Sequence, residues 1–286
     1  MNVVATVAYD GGAFAGFQIQ KDVVTVQSCL EEALKVLYRK RCVVHCAGRT
    51  DAGVHATGQV VSFEVPEIRP RIIPSLNALT PDSMAVMHLE EAPSDFHPRF
   101  SCIAREYQYL ISNARAWNPF LKGRVWHRTS CPPPEEFLEM LPVLEGEQDF
   151  GAFTRPQYLE DGTRRYLDTV LMESIQDSMS GERLLSFRVR GNAFLHNMIR
   201  IMMGTLVTLA EECPGPKRPA TLKEILASRD RKRAGRTAPP QGLYFRHAYY
   251  PDTPDLRRLG LKTLNDYPRF GQKSAGNSDG PHIRAH

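Results

Sequence analysis

The residues Phe194-Leu-His-Asn-Met-Ile-Arg-Ile-Met-Met-Gly-Thr-Leu-Val-Thr-Leu209 constrain the fold most, because on a helix they are apolar nearly all the way round from Met198. A helix without a polar face has to be enclosed on every side. The chain has the material to do so: 286 residues, 42% hydrophobic against 24% charged, are enough for two packed units. One residue breaks the apolar pattern, Arg200, one turn before Gly204, whose missing side chain leaves room beside it. A guanidinium stays charged at any ordinary pH, and burying it without an anion costs several kcal/mol. A carboxylate or phosphate is therefore expected next to Arg200. An internal ion pair with no chemical role would meet the same need.

Asp51, in Gly48-Arg-Thr-Asp-Ala-Gly-Val-His-Ala56, is the carboxylate of interest. Residues 41–46 before it read as a short strand, and Val61, Phe63 and Val65 after it alternate like a half-buried strand. The acid thus sits on a loop carried by rigid neighbours, the arrangement that presents reactive groups. Aspartate also caps turns by bonding its own backbone two residues on, so a structural role is the alternative at this stage.

The order of elements predicts an α+β fold of two similar lobes. Residues 1–98 form an N-terminal α/β lobe carrying the Asp51 loop, 99–251 a C-terminal α/β lobe carrying Tyr107 and Arg200, and 252–286 an extension expected to be disordered toward its end, beyond about Pro268. The firmest helix runs from Val26 to Tyr38, with Val26, Cys29, Leu30, Ala33, Leu34 and Leu37 on one face and Thr25 or Asp22 as its cap. Shorter helices are expected from Pro74 to Leu79, from Pro132 to Leu144 with a kink or stop at Pro142, and from a capping box at Thr221 to Ala227. Strands are expected over 84–89, 105–111, 169–175, 183–190 and 242–250. On the strand 183–190, Ser186, Arg188 and Arg190 share the face opposite Leu185, Phe187 and Val189, and a sheet with one cationic face suits RNA. Arg105, Tyr107 and Tyr109 share a strand face too, where the tyrosines serve either as core or as platforms for a base.

Several classes are disfavoured. The N-terminus has no signal-peptide pattern and no run approaches a membrane span. Six scattered cysteines read as reduced thiols of a cytoplasmic protein. Cys42 and Cys46 fall on one strand face and His45 on the other, so they do not converge on a metal. The formal charge of +4 is too small to be diagnostic by itself, although residues 228–236 hold five cations that could meet phosphates or simply be solvated.

The strings Tyr9-Asp-Gly-Gly with Phe14-Ala-Gly-Phe-Gln18, Gly48 to Ala56, Arg105-Glu-Tyr-Gln-Tyr109, Phe194-Leu-His-Asn-Met-Ile-Arg200 and Ala238-Pro-Pro-Gln-Gly-Leu-Tyr244 together resemble the TruA-type tRNA pseudouridine synthases. The likeness is ordered and runs from residue 1 to about 251. It implies two α/β lobes whose antiparallel sheets meet in a central RNA-binding cleft. It further implies a homodimer that isomerises uridines 38 to 40 of the tRNA anticodon arm with neither metal nor organic cofactor. Carried over by position, Asp51 resembles the family's nucleophile, Arg200 its ion-pair partner, Tyr107 its base-stacking tyrosine, Arg49 a residue that positions RNA, and Leu243 the apolar lining of the base pocket. Arg105, Arg188 and Arg190 are further candidates for RNA contact. Phe245-Arg-His247 follows Leu243 where a more apolar strand is expected, and the tail after Asp252 is longer than the family needs. Two rival classes remain open: a non-catalytic RNA-binding module, and a nucleosidase, which would need a second carboxylate beside Asp51.

Overall fold

The computed structural model describes residues 1–160 and 162–263. Residues 1–98 contribute β1 (Asn2–Tyr9), α1 (Val26–Tyr38), β2 (His45–Cys46), β3 (His55–Glu64), α2 (Ile72–Leu79) and β4 (Met84–Glu91). The rest supplies β5 (Ala104–Ser112), β6 (Trp126–His127), α3 (Leu141–Leu144), β7 (Gly146–Asp149), β8 (Arg164–Gln176), β9 (Arg183–Gly191), α4 (Met198–Glu212), α5 (Arg218–Ser228), β10 (Leu243–Tyr250), α6 (Pro254–Arg258) and β11 (Lys262–Thr263). This is the expected α+β fold, and its sheets meet by joining. The strands run β4-β1-β3-β10-β5-β9-β8-β7, with β2, β6 and β11 attached to β3, β5 and β10. Pairing along this path is antiparallel except where β10 lies parallel to β3 at Tyr244–His55 and Phe245–Ala56. That short parallel seam is the joint between the halves.

Most elements follow from local chemistry. α1 begins where Thr25 exchanges hydrogen bonds with Ser28, a capping box, and it buries Val26, Leu30, Ala33 and Leu34. α2 starts at Ile72, two residues ahead of the proline expected to open it, from Arg71 in the left-handed region. The stretch 132–144 is broken as Pro142 requires: a 3-10 turn at Pro134–Phe137 precedes α3. Thr221 does not cap a helix, because α5 already starts at Arg218, fed by a 3-10 turn and accepting Pro219 in its first turn, where no amide is needed. The tail expected beyond Pro268 lies outside the described residues.

α4 begins at Met198 and is buried on nearly all sides, among others at Ile201, Met202, Gly204, Thr205 and Leu206. No helix among the described residues is long and apolar enough to cross a membrane. The space beside Gly204 is not occupied by the Arg200 side chain. The backbone of Arg236 fills it, so closely that a Cβ on residue 204 would sit 1.6 Å from the Arg236 carbonyl oxygen. The loop is fixed there by Gly235 N–H donating to Thr205 Oγ1 at 2.9 Å and Ala238 N–H donating to the Arg200 carbonyl at 2.9 Å.

The cationic face expected on β9 is an internal charge network instead. Arg190 is 3% exposed, and its Nε donates to Asp168 at 3.0 Å while Nη2 donates to Thr169 Oγ1 at 2.9 Å. Glu106, opposite Arg190 in the β5–β9 register, lies 3.9 Å away and accepts a hydrogen bond from Tyr249. A register shift in β8 between Leu167 and Thr169 aims Asp168 at the guanidinium. The buried Glu106 and the partly buried Asp168 thus neutralise Arg190, as burial of a charge demands. Arg188 pairs with Glu173 at 3.3 Å.

Candidate active site

The Asp51 loop is anchored on both sides. Phe17 N–H donates to the Thr50 carbonyl at 3.0 Å, the Thr50 hydroxyl meets the buried Tyr9 hydroxyl at 2.8 Å, and Gln59 Nε2 donates to the Gly48 carbonyl at 2.7 Å. Val54 N–H closes the turn on the Asp51 carbonyl at 3.1 Å. Pro240 packs against Gly53, where a φ of 78° and the absence of a Cβ allow the close approach. Among the described residues the Asp51 carboxylate accepts no hydrogen bond from its own turn, so it does not serve as a turn cap. It is 29% exposed and faces two basic side chains.

Arg200 Nη1 stands 3.6 Å from Asp51 Oδ2, and His196 Nε2 stands 3.5 Å from Oδ1. The first distance is that of an ion pair, slightly longer than a hydrogen bond. Arg200 is aimed by two stronger contacts: Nε donates to the Ala238 carbonyl at 2.9 Å and Nη1 to Asn197 Oδ1 at 2.7 Å. Since arginine only donates, the Asn197 oxygen must face it, and the Asn197 amide nitrogen then faces His196 Nδ1 at 3.0 Å. That nitrogen only donates, so His196 Nδ1 accepts and the ring proton sits on Nε2, toward Asp51. Asp51, His196, Asn197 and Arg200 close a ring in which both carboxylate oxygens have a donor nearby while neither is saturated.

Asn197 can bridge because it precedes α4 in the left-handed region, at φ 60° and ψ 5°, which asparagine tolerates better than most residues. Sequence reasoning singled out Arg200 for its charge and passed over His196 and Asn197. Helical spacing could not have found them, because both precede α4 and Asn197 is not in the helical region. The His196 carbonyl also accepts from Thr154 Oγ1 at 3.3 Å, and Tyr158 lies against the imidazole with centroids 5.2 Å apart.

Behind the carboxylate is an aromatic wall. Tyr107 is 8% exposed and meets Phe194 and Phe245 edge-on, with centroids 5.0 and 5.2 Å apart. Burial raises its hydroxyl pKa well above the ordinary value, so the phenol stays protonated. Leu243 is buried opposite Tyr109 in the β5–β10 register, and Phe245 stands opposite Tyr107, so the strand that departs from the apolar expectation still completes the wall.

The remaining arginines divide. Arg49 is exposed beside Asp51. Arg105 is occupied by backbone: it donates to the carbonyls of Ala47, Cys102, Asn192 and Arg99 at 2.7 to 3.3 Å. In the 228–236 run, Arg229 pairs with Asp149 at 3.1 Å, Arg233 with Glu224 at 3.4 Å, and Arg231 donates within its own loop, while Lys232 and Arg236 are exposed.

The sequence profile described as tRNA pseudouridine synthase matches residues 5–101 and 141–251. Relatives named tRNA pseudouridine synthase A are similar over most of the chain. That of Leptospira biflexa is 38% identical over 263 residues, 90% of this chain and 97% of its own. That of Chloroflexus aurantiacus is 41% identical over 252 residues, 87% of this chain and 88% of its own. That of Pseudoalteromonas atlantica is 38% identical over 266 residues, 92% and 98% respectively. The two matched segments contain both the Asp51 loop and the Arg200 helix, and the chain belongs to the tRNA pseudouridine synthase family.

Proposed function

We propose that this chain converts uridines 38 to 40 of the tRNA anticodon arm to pseudouridine as a homodimer, with Asp51 as nucleophile, Arg200 as its ion-pair partner and Tyr107 stacking on the extruded base. One observation carries the reading: a partly exposed carboxylate that bonds nothing in its own turn and lies between Arg200 and His196. The reaction breaks the N1–C1′ bond, turns the uracil and rejoins it through C5, without redox change. As the glycosidic bond breaks, negative charge moves onto the departing uracil, and the donors that face Asp51 are placed to follow it. Attack at C1′, addition to the base and removal of the 2′ proton would all use this carboxylate.

The target nucleotide must leave its stack, at a cost of a few kcal/mol. Stacking on Tyr107 recovers part of that, and because the ring now meets the Phe194 edge, an incoming base takes Phe194's place against it. Leu243 and Phe245 line the base pocket, and exposed Arg49 contacts the RNA backbone at the entrance. The two carrier lobes, 1–98 and 99–251, deliver Asp51 and Arg200 respectively to this point. Against the nucleosidase reading stands the pairing of Asp51 with two basic groups rather than a second acid. Against the passive RNA module stands the burial of Arg190, which removes the cationic sheet face it relied on.

Asp51→Asn keeps the shape and removes the charge. The variant is expected to fold and bind tRNA but form no pseudouridine when modified nucleosides are mapped by mass. Substantial turnover by Asp51→Asn would falsify the nucleophile assignment.

A further inference from the structure

Away from the ring of Asp51 and Arg200, one exposed surface has a makeup that the fold does not need. Phe100 is 78% exposed, which gains nothing for the core. It does not stand alone. Its ring lies 4.4 Å from that of His97, tilted by 36°, and His97 lies 4.9 Å from His45, tilted by 43°. The Arg99 guanidinium sits 5.7 Å over the Phe100 ring. Val43, exposed on the same side of the alternating segment as His45, extends the strip.

The strip is built rigidly and tied to the active loop. Ser101 N–H donates to the His97 carbonyl at 2.9 Å, His97 N–H to Ser101 Oγ at 3.1 Å, and Arg99 N–H to His97 Nδ1 at 3.1 Å. Burial, and then the neighbouring His45 and Arg99, lower the His97 pKa, which keeps that ring neutral and stackable. Arg105 Nη2 donates to the Arg99 carbonyl at 2.7 Å while its Nε donates to the Ala47 carbonyl at 3.1 Å. A single guanidinium therefore holds both the strip and the strand leading into the Asp51 loop. Arg99, over the Phe100 ring, is exposed, and so is Arg49, which with Arg99 acts on Cys46, the residue after His45. A protein partner would have to desolvate both for the sake of one large apolar ring, whereas a nucleic acid meets cations with phosphates and rings with bases.

We propose that the His45–His97–Phe100 strip, with Arg99 over its outer ring and Arg49 on the neighbouring loop, is a stacking platform for an unpaired nucleotide of the substrate tRNA other than the target uridine. This rests on tRNA being the substrate. Stacking of one base on an aromatic ring accounts for about 5- to 100-fold in affinity.

The test uses the full chain carrying Asp51→Asn, which binds without turnover, with labelled tRNA titrated by fluorescence anisotropy. Adding Phe100→Ala is expected to weaken binding by about 5- to 100-fold, whereas Phe100→Tyr stays within about threefold of the parent. The slope of log Kd against log salt is expected to stay the same, because no phosphate contact is lost. In the active chain, Phe100→Ala raises KM by more than it lowers kcat. Because Phe100 is exposed, neither change threatens the core. The platform is overturned if Phe100→Ala binds within about twofold of the parent, or if Phe100→Tyr is as weak as Phe100→Ala. It is equally overturned if the substitution leaves tRNA binding intact but changes the mass in sedimentation equilibrium, which would assign the strip to contact between copies of the chain. Pseudouridine formation by the active parent is scored in the same preparations. Failure of the proposed chemistry appears as no product from the parent, and failure of the platform as an active enzyme indifferent to Phe100.

Discussion

Arg200 offers the sharpest test of the site, because two of its three partners, Asp51 and Asn197, are side chains that can be removed separately. At 3.6 Å from Asp51, with the two side chains 17% and 29% exposed, the ion pair is worth about 1–2 kcal/mol at an effective dielectric of roughly 40–80. The charge-assisted hydrogen bond to Asn197 adds about 1.5 kcal/mol or more of orientation. Arg200→Ala is therefore expected to lower kcat by about 30- to 1000-fold in single-turnover assays on tRNA. It also leaves the buried Ala238 carbonyl without its donor, at about 1–3 kcal/mol of stability, which a thermal melt reads separately. Arg200→Lys keeps the charge but has one nitrogen where the fork has three, so it cannot hold Ala238, Asn197 and Asp51 together. An intermediate loss of about 10- to 100-fold is expected. Asn197→Ala should weaken the wild type but add little to Arg200→Lys, since the two changes break the same ring. The reasoning is refuted if Arg200→Ala keeps kcat within about threefold of wild type, or if the Asn197 and Arg200→Lys effects add in full.

Gly204→Ala drives a Cβ into the Arg236 carbonyl, where backbone rather than a pliable side chain must yield. It should destabilise the chain by about 1–3 kcal/mol in urea unfolding, and pseudouridine formation should fall as well because Ala238 is carried on the displaced loop. Glu211 accepts two hydrogen bonds from Arg128 and one from Ser130, and the Arg128 bonds foremost hold its carboxyl below the usual range. Its contribution is thus complete above the ordinary carboxylate pKa, near about 4.3, and is lost as pH falls through the lower folded value. Glu211→Gln should flatten the fall in melting temperature below about pH 4.5; an unchanged profile would assign that fall to other carboxylates.

How far the sequence disclosed the molecule depended on whether a feature was local. α1 was legible to the residue, because six apolar positions on one face and a Thr25 cap act within the segment itself. The ends of α4 were less so: the run 194–209 reads as helical throughout, whereas the helix begins only at Met198, after Asn197 has turned into the left-handed region, and continues to Glu212. Alternation correctly put Arg188 and Arg190 across the strand from Phe187. It could not say what lay on their side, which depended on Glu106 arriving opposite Arg190 from β5 and on a register shift turning Asp168 inward. The placing of Asp51 beside Arg200 could be argued only from the cost of an unpaired guanidinium, which names the kind of partner and not its direction. His196 escaped because its role depends on Asn197 leaving the helical region just before α4, a backbone choice that a spacing rule does not contain.

Asp51 and Arg200 come from opposite halves of the chain, and the distance between them is set by neither one's own element. Residues 235–245 touch both. Gly235 and Ala238 are bonded to α4 at Thr205 and Arg200, the Ala238 carbonyl orients the guanidinium, and Pro240 presses on Gly53 in the Asp51 loop. The same segment then becomes β10, whose Tyr244 and Phe245 form the parallel seam with β3 and whose Phe245 backs Tyr107. Tyr109 fastens the turn between these duties through its hydroxyl on the Pro239 carbonyl at 2.7 Å. A stretch with two consecutive prolines is suited to this work, since fixed φ angles limit how far the two anchoring points can drift. The ion pair therefore depends on a strut that contributes no charged group to it, and strain anywhere along 235–245 reaches the carboxylate without touching it.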